Sequence, residues 1–123
     1  MSAAADPGIN ATPVRTLDEI VERNQVWPRM AAKYGVANPV PPWKTSLDGL
    51  CDALDRAADC APGVPDFKQR RDEEDVLSAT RYAQLPYPEN QLVALAHSLV
   101  ARGLIDEAEL RERLTRIRAR LEA

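Results

Sequence analysis

Two adjacent arginines, Arg70 and Arg71, follow Phe67 near the start of the charged segment "DFKQRRDEED". Arginine presents a planar fork of donors that keeps its charge, which suits it to clamping an oxyanion. On a charged helix the ordinary place for such a residue is the solvated surface, so the pair is a candidate site and no more. Other reactive types are sparse. His97 sits in "ALAHSLV", the setting of a half-buried structural histidine rather than of a general base. Cys51 and Cys60 match no zinc spacing, and His97 is far from both in the chain. Cys51 falls on the apolar side of an expected helix as a small core residue, and Cys60 reads as a loop or helix-end thiol. There is no glycine-rich phosphate loop and no nucleophile elbow. Trp27 and Trp43, each beside a proline, read as packing anchors rather than a stacking platform. The residues by themselves describe a small helical interaction domain, expected to bind no metal or cofactor of its own.

Composition narrows the class further. The 123 residues fit one domain with a modest core. Sixteen Lys and Arg against nineteen Asp and Glu leave a net charge of −3, without the basic footprint of a nucleic-acid binder. No apolar run approaches the roughly 18 residues of a membrane span. Two cysteines make no disulfide framework. The opening "MSAAADPGINATPV" has neither the basic start nor the apolar stretch of a signal peptide, so a cytoplasmic location is the default expectation.

Ten prolines and five glycines punctuate the chain, and no segment alternates like a strand. The pattern predicts an all-α fold of about four to five helices, with a C-terminal αα-hairpin and a flexible N-terminal arm. Residues 1–42 form the arm, carrying a short helix and a proline-rich linker, and 43–123 form the helical domain. Within the arm, 1–14 read as a flexible tail. "TLDE" (Thr16 to Glu19) is a capping box that opens a helix running to Trp27, before Pro28. Pro28 opens a further turn or two closed by Gly35, and "VANPVPP" is an extended linker.

In "TSLDGLCDALDRAAD" the residues Leu47, Leu50, Cys51 and Leu54 share one face, with Thr45 or Ser46 as cap. "CAPGVP" breaks that helix, and Asp66 starts the charged one. A third helix begins at Pro88, tolerated in a first turn. It is apolar around most of its girth and so requires neighbours on several sides. Gly103 supplies a left-handed stop, and "DEAE" repeats the start signal, with Asp106 as cap and Glu109 reaching back. The last helix carries Leu110, Leu114, Ile117 and Leu121 at spacings of four, three and four, flanked by arginines. That narrow stripe serves either an intramolecular hairpin or a helix of another chain.

The block "YAQLPYPENQLVALAHSLVARGLIDEAELRERL" resembles the N-terminal half of the nitrile hydratase β subunit, and more closely the separate β chain of thiocyanate hydrolase. The matching residues are Leu85, Pro86, Tyr87, Leu92, Leu95, Leu99, Gly103 and Leu110. Upstream the resemblance runs without a gap to Arg70, sixteen positions before Pro86 as in those relatives. With a short insertion at "CAPGVP" it covers residues 43 to 123. Residues 1–42 have no counterpart.

The resemblance implies a non-metal subunit that helps enclose an active site held by another chain. There a Cys-x-x-Cys-Ser-Cys claw with two oxidised cysteines binds cobalt(III), or less commonly iron(III). The metal acts as a Lewis acid for attack on a nitrile or thiocyanate carbon. By position Arg70, with Arg71 as the neighbouring alternative, takes the role of hydrogen-bonding the oxidised cysteine oxygens from outside. Asp66, Gln69 and Tyr87 are the implied pocket residues, giving a more polar pocket than in nitrile hydratases. The implied partners are a metal-binding α-type subunit, a β-C-terminal-half-like subunit and a small nitrile; the three-chain toyocamycin-type nitrile hydratase is one such arrangement. The first tyrosine of the family's box is Pro86 here, so that hydroxyl contact is missing. An accessory activator that chaperones the metal subunit, and a helical adaptor unrelated to either, are the alternatives.

Overall fold

The computed structural model describes residues 7–23, 32–35, 41 and 43–122. Among them the fold is all-α, as expected, with six helices: α1 (Pro7–Ala11), α2 (Arg15–Glu22), α3 (Lys44–Ala58), α4 (Phe67–Ala79), α5 (Glu89–Ala101) and α6 (Glu107–Glu122). The sixth is α1, in a stretch expected to be a tail.

The apolar helix α5 is the hub, as its girth demands. Val93 and Ala94 join Val14, Leu17, Leu77, Tyr82 and Leu85 in one cluster. From another side of α5, Leu95 and Leu99 meet Leu47, with Trp43, Cys51, Leu54 and Ile105 packed around them. Each large apolar side chain so buried contributes on the order of 2 kcal/mol. Leu50 and Leu92, both expected on apolar faces, remain 44 % and 39 % exposed.

From Pro7 onward the expected tail is structured. Its anchor is the imidazole of His97, fully buried between two partners. His97 Nε2 donates to the backbone carbonyl of Ile9 at 2.7 Å, so Nδ1 must accept from the Tyr82 hydroxyl at 2.6 Å. His97 is thus structural, as its setting suggested, and more deeply buried than expected. Val14 and Leu17, 1 % and 2 % exposed, complete the attachment.

The start signals fared unevenly. The Thr16–Glu19 capping box does not form. Instead the Thr16 amide and hydroxyl both donate to Glu107 of α6, at 3.1 and 3.0 Å, and Glu19 pairs with Arg15 and Arg111. A carboxylate brought from across the fold thus takes the Thr16 amide that Glu19 was expected to satisfy, and faces the positive end of α2. That helix ends at Glu22; Trp27 and Pro28 lie outside the described residues, as does most of the 36–42 linker. Gly35, expected to close a turn, has a left-handed φ of 70°. At α3 neither Thr45 nor Ser46 caps: the N-cap is Trp43, two or three residues earlier, and makes no side-chain bond.

Gly103 turns the chain at φ 78°, and Asp106 Oδ2 accepts from the Glu109 amide at 3.0 Å. Glu109 does not reach back; its carboxylate takes Arg113 at 2.7 Å. The two C-terminal helices are therefore joined by the expected tight turn. Only Leu110, at the start of α6, packs on the core.

Candidate functional site

Three helices place one face each around a cleft of about 300 Å³. From α3 come Asp48, Cys51, Asp52 and Asp55, and from α4 come Phe67, Arg70, Arg71 and Glu74. Both sets follow the three-four spacing of a single helix face. Gln91, Leu95 and Ser98 of α5 close the floor.

Arg70 is the best-held charged group in the cleft wall. Its side chain is 8 % exposed, with Nη2 on Asp55 Oδ1 at 2.5 Å and Nη1 donating to the Pro65 carbonyl at 3.2 Å. The second contact joins the guanidinium to the loop before its own helix. Together the two bonds fix the plane of the fork and leave its other N–H groups for a visitor. Arg71, by contrast, is 61 % exposed and paired only with Asp75, four residues on, at 3.4 Å. Surface pairs of that kind hold a side chain weakly.

The remaining pocket residues of the resemblance are not brought to Arg70. Asp66 and Gln69 make a complete capping box at the start of α4: Asp66 Oδ1 accepts from the Gln69 amide at 2.8 Å, and Gln69 Oε1 from the Asp66 amide at 3.0 Å. Both side chains are spent on the helix and neither lines the cleft. Tyr87 is 68 % exposed, and its ring carries the Lys44 ammonium 5.7 Å from its centre.

What makes the cleft polar is a set of carboxylates that sequence reasoning passed over. Burial pushes the Glu74 carboxyl above the usual range, with Arg71 opposing the shift. Burial likewise raises the Cys51 thiol, so it is a poor nucleophile there. Three aspartates and Glu74 stand against two arginines. An acceptor that reaches Arg70 must therefore be held there against the repulsion of the nearby carboxylates. The i, i+3, i+4, i+7 run of Asp48, Cys51, Asp52 and Asp55 was visible in the sequence, but only the packing of α4 against it makes a cleft.

Among the described residues, no group of three or more His, Cys, Asp or Glu side chains could hold a metal ion, and no helix is long and apolar enough to cross a membrane. Compared with protein-family models, with curated proteins and with solved structures, the chain shows no match.

Proposed function

We propose that this chain is a non-metal subunit of a nitrile hydratase-type complex, hydrating a nitrile to an amide, or of the closely related thiocyanate hydrolase. The observation that carries the reading is the character of Arg70. The arginine sixteen positions ahead of Pro86 is buried and locked by Asp55 and the Pro65 carbonyl, beside an open cleft. A guanidinium fixed in this way orients an oxygen acceptor at little further entropic cost, which a mobile surface arginine cannot do. A cobalt(III) ion on an α-type partner, or less commonly iron(III), supplies the Lewis acidity. Arg70 donates its spare N–H groups to the oxidised cysteine oxygens of that partner, and Asp55 keeps the fork in plane. A third, β-C-terminal-half-like subunit completes the enclosure around the small nitrile.

Purification of the full chain through a tag from its own host tests this reading. The expected result is a stoichiometric partner carrying the Cys-x-x-Cys-Ser-Cys claw, with cobalt or iron in the complex and nitrile hydration in the eluate. Arg70→Lys keeps the charge and loses the fork, so the complex should assemble while kcat falls about 10- to 100-fold. Unchanged kcat in Arg70→Lys removes Arg70 from the mechanism. No metal-bearing partner at all removes the reading. A chain that loads the metal subunit and is absent from the active complex is the activator instead.

A further inference from the structure

Helix α6 leaves the domain with its apolar stripe uncovered. In its first turns the stripe faces inward: Glu107 accepts from Thr16, Leu110 packs on the core and Arg111 pairs with Glu19 at 3.0 Å. The same stripe runs on through Leu114, Ile117 and Leu121, which are 36 %, 43 % and 77 % exposed. With Leu110 these residues keep the four, three, four spacing of a coiled-coil seam, alternating between its d and a positions. The positions beside the seam then fall on Arg111 and Arg118 along one edge and on Arg113 and Arg120 along the other. Every edge position from 111 to 120 is an arginine. Glu109 and Glu112 lie away from the seam, paired with Arg113 and Arg116 one turn on, at 2.7 and 3.7 Å. Exposed pairs of that kind are worth a few tenths of a kcal/mol and exchange readily.

We infer that this stripe is the docking surface for an amphipathic helix of a partner protein, with an aliphatic seam flanked by glutamate or aspartate. Charge at the edge positions sets partner choice in such seams. A second copy of this chain is the wrong occupant. In a parallel pair Arg113 would oppose Arg118, and in an antiparallel pair each arginine edge would oppose itself. A nucleic acid would meet the arginines but leave the Leu114–Ile117–Leu121 seam in water. The seam spans only about two heptads, short of the three to four that sustain an independent coiled coil. The seam alone is therefore weak, and the charged edges must supply much of the attraction to an acidic helix. None of this depends on the catalytic reading above.

Fluorescence anisotropy with the full 123-residue chain tests the inference against three labelled probes. The first is a peptide of ~21 residues with leucine at the seam and glutamate on both edges; the second carries lysine on the edges; the third is a single-stranded RNA of ~20 nucleotides. The acidic peptide should bind about 10-fold or more tighter than the basic one, and weaken as salt rises. Ile117→Asp with Leu121→Asp should abolish that binding and leave circular dichroism and Tm unchanged, since both positions are exposed. Arg113→Glu with Arg120→Glu makes one edge acidic and leaves the other basic, so it should erase the preference between the peptides. Equal affinity for the two peptides, or none for either, overturns the inference. So does RNA binding tighter than the acidic peptide, or a sedimenting dimer that Ile117→Asp dissolves.

Discussion

Arg102, at the end of α5, brackets the carboxylate of Glu73 in the middle of α4: Nη1 lies 2.7 Å from Oε1, and Nη2 holds Oε2. The Glu73 side chain is 2 % exposed and that of Arg102 15 %. Arg102 also donates to the Ser98 carbonyl at 3.2 Å, so it closes the open end of its own helix while neutralising a charge in the next. The two helices with the most extensive shared packing are thereby pinned in register.

Removing one member should leave a buried charge without its partner. Arg102→Ala is expected to cost about 3–5 kcal/mol, lowering Tm by roughly 10 °C or more. The double variant Glu73→Leu with Arg102→Met should recover most of that loss, because two apolar side chains of similar volume avoid the desolvation penalty. Thermal melts of the three proteins decide it. A double variant no better than Arg102→Ala would mean that packing, not charge, controls the interface.

His97 makes stability depend on pH. Burial holds its imidazole below the ordinary value of 6.5, against the raising effect of the Ile9 carbonyl. The unfolded chain therefore takes up more protons than the folded one as pH falls below about 6.5, so stability is full above that point and declines beneath it. Because the chain has a single histidine, its imidazole proton resonance reports the folded-state midpoint without ambiguity. A midpoint below 6.5 is expected; one above it reverses the slope. Tyr82→Phe should lower stability by about 1 kcal/mol, because it removes the donor to Nδ1. The urea midpoint at neutral pH measures that loss.

The two thiols should react at different rates. Cys60 is exposed at the end of α3, whereas Cys51 is half-buried with its thiol pKa raised by burial. Brief treatment with iodoacetamide near pH 8 should add one carbamidomethyl group, located by peptide mass mapping at Cys60. Cys51 should follow fully only in denaturant, since alkylation needs an exposed thiolate. Equal labelling of both in the native chain would contradict the packing of Cys51 against Leu47 and Leu95.

Much of the architecture was legible because it rests on local rules. Helical spacing found α3, α4, α5 and α6, and Gly103 and Asp106 marked a turn that short-range geometry dictates. The girth of α5 announced a hub. The candidate site was legible only in part. Arg70 was singled out only by the resemblance, and its partner Asp55 is fifteen residues away on another helix, with no local pattern linking them. Asp66 and Gln69 were pocket residues only by the resemblance, and their three-residue separation lets them cap each other.

By itself the sequence determined most of the helical segments and their apolar faces, since those properties depend on neighbours a few residues apart, but it missed α1 and the end of α2. The tertiary structure decided which polar groups find each other. The Thr16 amide could be satisfied by Glu19 or by any carboxylate placed beside it, and packing delivered Glu107 instead. Ile9 gained a role only when the fold carried its carbonyl to His97, eighty-eight residues on. A hydrogen bond requires contact within a few tenths of an ångström. Such contacts between distant residues follow from the arrangement of whole helices, which no short window of sequence specifies.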